Sequence, residues 1–189
     1  MLILPPEKES KFGSKSPKNR QNLSVATPSK RQIFDEVRKI WVRASPEEIV
    51  RQACLRRLIQ ELGFPKELLA VEKELQQIGG ALDAVPDRRL DIVCFARGIH
   101  PEHLLSVLMM IECKENHLDQ KAIDQIVGYH FLIRAPFIGL VSPYQELIGR
   151  WDPVQQLYCF RQGFPSYLEL VQSAMLEKRV LDNRLYEKA

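Results

Sequence analysis

Two acidic residues and a lysine lie at the ends of two apolar segments in the middle of the chain. Asp91 belongs to the segment RLDIVCF, and Glu112 and Lys114 close the segment LLSVLMMIECK. Residues two apart in a β-strand point to the same face, so Glu112 and Lys114 should lie side by side. An ionised carboxylate beside an apolar strand is costly unless a cation or hydrogen-bond donors compensate it. We therefore expect a partner for Glu112 on a neighbouring strand.

The loop between the two segments predicts that this partner is Asp91. The numbers of paired residues in an antiparallel hairpin have a constant sum, and proline is favoured at the second position of a type I turn. If residues 100–103 form that turn, Asp91 and Glu112 face each other with their Cβ atoms about 5 Å apart. Two carboxylates this close repel each other unless a proton or a metal ion lies between them. Oxygen ligands without cysteine or histidine favour Mg²⁺ or Mn²⁺. Lys114 would then stabilise negative charge or orient an attacking water.

A simpler alternative explains the same three residues by ion pairs alone. Glu112 would pair with Lys114 at the end of its strand, and Asp91 would pair with Arg88 or Arg89. The spacing of an E-x-K triplet does not decide between the two interpretations. The metal interpretation requires carboxylates that point toward each other and are not both matched to arginines.

The elements that must position these residues follow from local patterns. Ser45-Pro46-Glu47-Glu48 is a helix start, with Ser as N-cap and Pro at the first helical position. Apolar residues follow at helical spacing until Gly63 ends the run. Strands are predicted at residues 69–75, 89–95, 104–114 and 137–142, with a helix at residues 118–133 between the last two. The order helix, three strands, helix, strand predicts an α/β fold with a mixed central sheet flanked by helices.

The ends of the chain have a different character. Residues 5–31 contain seven Lys or Arg against two Glu and few apolar residues, so residues 1–31 are predicted to be a disordered basic arm. Residues 32–165 would form a single domain, with a turn at Gly79-Gly80 and an edge strand at residues 156–160. Residues 166–189 would form a helix that packs on the domain or serves a dimer, through a stripe of Leu168, Val171, Met175 and Leu185.

Composition narrows the protein class. The chain has 189 residues, 45% hydrophobic content and a formal charge of +3, which fits one globular domain and tolerates a nucleic-acid partner. The four cysteines are spaced too widely for a zinc pattern, so we expect a reducing, cytoplasmic setting. No apolar run approaches the roughly 18 to 20 residues of a membrane span. No G-x-x-x-x-G-K-[ST] phosphate loop occurs, and we expect no ATPase motor.

Five stretches together resemble the N-terminal nuclease domain of type I restriction enzyme R subunits, within the PD-(D/E)XK nuclease superfamily. They read SPEEIVRQ, LGFPKELLAVEKEL, RRLDIVCF, IECK and QIVGY. The Asp, the Glu-x-Lys and the Gln-x-x-x-Tyr elements follow in the order of that family. The resemblance implies a restriction-endonuclease-like αβββαβ core that hydrolyses DNA phosphodiesters with a metal ion.

The resemblance also assigns roles to residues. Asp91 and Glu112 would bind Mg²⁺ with the backbone carbonyl of Cys113, and Lys114 would be the motif lysine. Mn²⁺ would substitute for Mg²⁺. Gln125 and Tyr129 lie four apart, on one helix face, and Gln125 would hold the site or contact the DNA backbone; a polar residue at the edge of a packed helix is the alternative. Glu72 matches a family glutamate on the first strand.

The first helix has two further features. Many relatives have a carboxylate there, and this chain offers Gln52 or Glu48, of which Glu48 is better explained as a cap. Arg51, Arg56 and Arg57 predict a basic helix face that is solvated or meets phosphates.

The functional hypothesis is a Mg²⁺-dependent DNA endonuclease-type domain without a helicase motor. Its expected partners are DNA, a separate motor or specificity subunit, and a second copy of the chain in a homodimer. One alternative is a catalytically silent DNA- or protein-binding module on the same fold. A second is a structural or oligomerisation protein whose charged strand ends are plain ion pairs.

Overall fold

The computed structural model describes residues 31–79 and 88–186, with side chains described except at residue 79 and residues 177–186. A six-stranded mixed sheet forms the centre, in the order β3-β4-β5-β6-β7-β8, and a separate hairpin pairs β1 with β2. The strands are β1 Gln32–Asp35, β2 Ile40–Arg43, β3 Leu69–Glu74, β4 Arg89–Arg97, β5 Leu105–Cys113, β6 Phe137–Val141, β7 Glu146–Asp152 and β8 Leu157–Gln162. The helices are α1 Pro46–Gln60, α2 Leu75–Gly79, α3 Gln120–Ile133 and α4 Tyr167–Tyr186, with a 3-10 turn at Lys66–Leu68.

Helix α1 begins where the sequence predicts and ends at Gln60, slightly before the predicted stop at Gly63. The backbone N–H of Glu48 donates to Ser45 Oγ at 3.3 Å, and Pro46 occupies the first turn. Gly63 follows the helix with a φ of 69°, in the left-handed region that glycine adopts without a steric cost. Helix α3 begins in the same way, because Asp119 Oδ1 accepts from the Ala122 N–H at 2.9 Å. These caps fix both helices at the end of the sheet where β5 finishes.

The sheet combines antiparallel pairs with one parallel pair. β3, β4 and β5 pair antiparallel, β6 runs parallel to β5, and β7 and β8 return antiparallel. The parallel pair needs a crossover, and α3 supplies it. The order α1, three strands, α3, β6 agrees with the predicted order.

The register between β4 and β5 carries the site. Ile92 pairs with Ile111 and Val93 with Met110, as predicted, so one further step puts Asp91 opposite Glu112. The predicted turn at residues 100–103 is wrong, because Arg97 pairs with Leu105 and the loop of residues 98–104 is therefore centred on Pro101. A shift between Cys94 and Phe95 moves the pairing by one residue and compensates for the longer loop. The predicted pairing is therefore correct beside the site and wrong at the loop.

Two apolar cores cover the two faces of the sheet. One core packs α1 and α4 on it and the other packs α3, and each contains side chains from the central strands β4 and β5. The alternation of β5 is consistent with this arrangement, since Met109 and Ile111 belong to the first core and Met110 to the second. Fully buried members include Leu55, Leu58, Ile92, Met109 and Ile111 in the first core and Leu90, Met110, Ile126, Ile138 and Leu140 in the second.

Helix α4 corrects the predicted apolar stripe. Leu168 is 62% exposed and Met175 is 38% exposed, whereas Leu170 and Ala174 are buried in the α1-side core. Val171 packs against that core as predicted. Leu185 lies in the part of the helix whose side chains are not described. The predicted buried face of α4 was wrong because apolar residues occur on both sides of this helix. Their spacing alone did not indicate which side packs on the sheet.

Three strands had no signal in the sequence. β1 and β2 are only four residues long, and β7 begins with a glutamate and contains Gly149 and Arg150. The predicted edge strand at residues 156–160 is present as β8. The predicted turn at Gly79-Gly80 lies outside the described residues, except that Gly79 closes α2. The predicted arm at residues 1–31 also lies outside them, except for Arg31.

Candidate metal and nuclease site

Asp91 lies on β4 with both carboxylate oxygens engaged. Oδ1 accepts from Arg51 Nη2 at 2.6 Å, and Oδ2 accepts from the backbone N–H of Cys113 at 2.6 Å. The second bond ties Asp91 directly to the end of β5. The sequence alternative named Arg88 or Arg89 as the partner of Asp91, and this is wrong: the guanidinium comes from α1, 40 residues away in sequence.

Glu112 is the most buried acid of the predicted site, with a side chain that is 6% exposed. Its Oε1 accepts from Lys114 Nζ at 2.8 Å and from Gln125 Nε2 at 2.5 Å. Its Oε2 is buried and has no hydrogen-bond partner. Burial raises the pKa of Glu112 to about 7, and the charge of Asp91 adds to that effect while Lys114 opposes it. Glu112 Oε2 thus has neither a hydrogen-bond donor nor a cation to compensate its burial.

Lys114, Gln125 and Tyr129 form a chain of hydrogen bonds to Glu112. Lys114 Nζ also donates to Gln125 Oε1 at 3.1 Å, and Gln125 Nε2 also donates to Tyr129 Oη at 2.9 Å. Gln125 and Tyr129 are one turn apart on α3, and Tyr129 is buried. The structure brings together four predicted site residues here, and Gln125 sets the orientation of Glu112.

Arg51 and Glu47 are site residues that sequence reasoning missed. Arg51 was expected on a basic surface with Arg56 and Arg57, but its side chain is 5% exposed and contacts Asp91. Glu47 Oε1 accepts from Arg51 Nη2 at 3.1 Å. Burial raises the pKa of Glu47, and the charge of Asp91 contributes to the same shift. Glu47, rather than Gln52 or Glu48, is therefore the α1 carboxylate beside Asp91.

A signal for Arg51 was present in the sequence. Leu55 and Leu58 follow Arg51 by one and two helical turns and are buried, so Arg51 lies on the apolar face of α1. An arginine on an apolar face must meet carboxylates, since burying an unpaired guanidinium is prohibitive.

Glu48 and Gln52 belong to a neighbouring network instead. The Glu48 carboxylate accepts from Arg38, Arg51 and Gln52, so it is not a simple cap as predicted. Gln52 Nε2 bridges Glu48 Oε1 and Asp35 Oδ2, each at 2.8 Å.

Glu72 joins the same network from β3. Its Oε1 accepts from Arg51 Nη1 at 3.1 Å, and its Oε2 pairs with Arg38. The backbone of Glu72 has a φ of 50°, a left-handed conformation that is uncommon outside glycine. Val71 and Lys73 on either side keep regular pairing with β4. With this backbone conformation the Glu72 carboxylate contacts Arg38 and Arg51. Glu72 thus lies near the predicted site and is linked to Asp91 through Arg51.

The charge and the donor atoms of the site suit a divalent cation. Six carboxylates and three cationic side chains meet in the two networks, an excess of three negative charges when all are ionised. A cavity of about 440 Å³ opens beside them, lined by Glu47, Lys114 and Gln125 among others. The unpaired Glu112 Oε2 and the oxygen-only donor set fit Mg²⁺ or Mn²⁺. Of the two carboxylates expected to bind the metal ion, Glu112 is matched to a lysine and an amide, and Asp91 is matched to an arginine.

Another group of potential ligands lies on the loop between β4 and β5. His100, Glu102 and His103 each have a donor atom, and these atoms lie within 4.8 Å of one another. All three residues are exposed, and Glu102 N–H donates to His100 Nδ1 at 3.2 Å. This loop is at the other end of β4 and β5 from Asp91 and Glu112, so it takes no part in the site described above.

Comparisons with known proteins bear on the family. Among the described residues, no helix is long and apolar enough to cross a membrane. No curated protein matches the chain, and neither does any solved structure. A family model described as "Type I restriction enzyme R protein N terminus" matches residues 46–165, from the first residue of α1 to the loop before α4. That range covers well over half of the chain and includes every residue of the predicted site, and the chain therefore belongs to the family of type I restriction enzyme R protein N-terminal domains.

Proposed function

We propose that this domain is a Mg²⁺-dependent DNA endonuclease-type phosphodiester hydrolase of the PD-(D/E)XK superfamily. The observation that carries the proposal is Glu112 Oε2, a buried carboxylate oxygen without a partner, on a residue that stands opposite Asp91 in the sheet register. Membership in the type I restriction enzyme R protein family supports the same activity. The order α1, β3, β4, β5, α3, β6 supports a restriction-endonuclease-like αβββαβ core.

The proposed ligands are Asp91, Glu112 and the backbone carbonyl of Cys113. A divalent ion bound there, Mg²⁺ or Mn²⁺ in substitution, would supply Lewis-acid stabilisation of charge on the phosphate. The N–H of the same Cys113 already holds Asp91 Oδ2, so the backbone orients one ligand.

Lys114 is proposed as the residue that acts on the reacting groups. Its side chain is 28% exposed and lines the cavity, while Glu112 and Gln125 hold the ammonium in place. From that position Lys114 can stabilise negative charge on a phosphate or orient the attacking water. Gln125, supported by Tyr129, keeps both Glu112 and Lys114 in position.

The proposed partner is DNA, with a separate motor or specificity subunit delivering it, in the cytoplasm. The cavity is lined by Lys114 and Lys121 as well as by three acids, and Lys121 is a second cation that can contact a phosphate backbone. A homodimer through α4 remains part of the proposal, since Leu168 and Leu176 are exposed on that helix.

A plasmid-nicking assay with Mg²⁺ tests the proposal. Lys114→Ala should abolish nicking and leave the thermal unfolding midpoint within a few degrees of wild type, because the lysine is partly exposed. Lys66→Ala is the matched control, since Lys66 pairs with Glu36 on another part of the surface. Nicking by Lys114→Ala at the wild-type rate would remove the role of this lysine.

The second candidate function is a silent DNA- or protein-binding module on the same fold. The Arg51–Asp91 pair favours it, because this arginine satisfies Asp91 without any metal ion. Magnesium titration calorimetry beside the nicking assay separates the two functions. Binding of Mg²⁺ and DNA without cleavage supports the module, whereas failure to bind Mg²⁺ or Mn²⁺ supports a structural role.

A further inference from the structure

Arg51 has a position that the proposed reaction does not explain. Its guanidinium is nearly buried and pairs with four carboxylates: Glu47, Glu48, Glu72 and Asp91. Its Nη1 donates hydrogen bonds to Glu48 and Glu72, and its Nη2 donates to Glu47 and Asp91. One side chain therefore links the supporting network to a proposed metal ligand.

Two buried polar atoms of the site have no hydrogen-bond partner. They are Arg51 Nε, on the guanidinium that pairs with Asp91, and Glu112 Oε2. Buried polar groups without partners are rare and costly. The pair of Arg51 and Asp91 thus balances charge and leaves two buried polar atoms without partners.

We propose that Arg51 is the resident counter-ion of Asp91 and competes with the divalent cation for the Asp91 Oδ1 oxygen. In the cation-free protein Arg51 neutralises Asp91. When the cation binds, Arg51 gives up Oδ1 and keeps its contacts with Glu48 and Glu72. This inference rests on the proposed function, because it concerns the same cation site.

The other cations of the site do not have this role. Arg38 pairs with Asp35, Glu48 and Glu72 but makes no contact with Asp91. Lys114 pairs with Glu112 through Oε1 and leaves Oε2 open. Arg51 is the cation whose hydrogen bond occupies an oxygen that the metal ion would need.

Calorimetric titration with Mg²⁺ tests the competition. Arg51→Gln should bind Mg²⁺ about tenfold more tightly than wild type, because a unit positive charge a few ångströms from the cation is removed. Arg38→Gln removes the same charge from the network without contacting Asp91 and should show a smaller gain. Arg56→Gln, on the same helix and exposed, should bind Mg²⁺ as wild type does.

Thermal unfolding gives a second readout that does not depend on cleavage. Without Mg²⁺, Arg51→Gln should unfold at a lower temperature than wild type, because Glu47, Glu48, Glu72 and Asp91 lose their common cation. Saturating Mg²⁺ should raise the unfolding midpoint of this variant more than that of wild type. A merely structural arginine would leave the same deficit with and without Mg²⁺, and that result overturns the proposal.

The outcomes separate this inference from the proposed function. Wild type that binds Mg²⁺ while Arg51→Gln binds no more tightly contradicts the competition and leaves the nuclease proposal standing. Wild type that does not bind while Arg51→Gln binds supports the competition. Absence of binding in both overturns both proposals.

A crystal structure of the wild-type protein with Mn²⁺ decides the matter if Arg51→Gln does not fold. The expected result is an ion on Asp91 Oδ1 and an Arg51 Nη2 that has moved beyond hydrogen-bond distance of it. An ion in the site with the 2.6 Å Arg51–Asp91 bond intact would refute the competition.

Discussion

At the scale of single residues, the protonation of Glu112 makes the stability of the folded protein depend on pH. The ordinary pKa of a glutamate, 4.5, is raised to about 7 in the folded protein, first by burial and then by Asp91. The folded state therefore holds a proton more tightly than the unfolded state does. The stability that this proton supplies is complete below about pH 4.5 and is lost as the pH rises through 7.

The metal-free protein should accordingly become less stable between pH 5 and pH 8, by an amount on the order of 2–3 kcal/mol. Urea unfolding at several pH values measures this. Glu112→Gln should remove most of the dependence, because glutamine does not ionise. Asp124→Asn, which alters an exposed acid on α3, should retain it. A slope that persists in Glu112→Gln would assign the titration to another group.

Bound Mg²⁺ should favour the ionised form of Glu112, whereas burial favours the protonated form. A divalent cation binds the ionised carboxylate, so Mg²⁺ affinity should rise as the pH increases through 7. Calorimetric titration at pH 6 and pH 8 checks this expectation. Equal affinities at the two pH values would contradict the expected loss of a proton from Glu112 when the cation binds.

The residues found in advance are those whose signal is local or lies in strand pairing. Glu112 and Lys114 follow from alternation on one strand, and Asp91 follows from the register of one hairpin. The apolar spacing of α1 indicates that Arg51 faces the core, but not which carboxylates it meets there. Arg51 and Glu47 were missed because those contacts depend on how α1 packs on the sheet. The roles of Asp91 and Glu112 in metal binding and of Lys114 in catalysis stay predictions.

At the scale of elements, β6 contains a glycine, Gly139, whose neighbours leave little room for a side chain. A Cβ on Gly139 would lie 2.8 Å from the Phe164 ring and 3.0 Å from Ile111 Cγ1. Gly128, in the middle of α3, has nothing within 4 Å of the corresponding position. The same substitution should therefore have opposite effects in the two elements.

Gly139→Ala should cost about 1–3 kcal/mol of unfolding free energy, because the β5–β6 interior becomes overpacked. Gly128→Ala should add up to about 1 kcal/mol, since alanine is the better helix former. Urea denaturation of both variants measures the difference. If Gly139→Ala were as stable as wild type, Phe164 would have room to move away.

Helices and long strands were predictable as elements, and their exact partners were not. α1 and α3 carry capping residues, and β5 is a nearly continuous apolar run, so each has its own signal. β7 has none, because its residues are ordered by pairing with β6 and β8 rather than by alternation. The bulge between Cys94 and Phe95 is likewise a product of the longer loop.

At the scale of the whole molecule, both cores share the same central strands. Leu58 on α1 and Ile126 on α3 are fully buried on opposite faces of the sheet. Met109 and Met110 are adjacent on β5 and contribute to the two different cores. Loss of packing on one face therefore weakens the strands that the other face needs.

Leu58→Ala and Ile126→Ala should each lower the unfolding free energy by about 2–5 kcal/mol. In both variants, tryptophan fluorescence and far-ultraviolet circular dichroism should report one coincident transition. Two separate transitions in either variant would show that the faces unfold independently.

The left-handed backbone at Glu72 also has a consequence for association between molecules. β3 lies at one end of the six-stranded sheet, so its outer edge faces away from β4. A flat edge strand is a template on which another chain can add and begin aggregation. The reversal of φ at Glu72 breaks the regular row of donors and acceptors along that edge. The residue that turns a carboxylate toward the arginines thus also makes this edge a poor template for fibril growth.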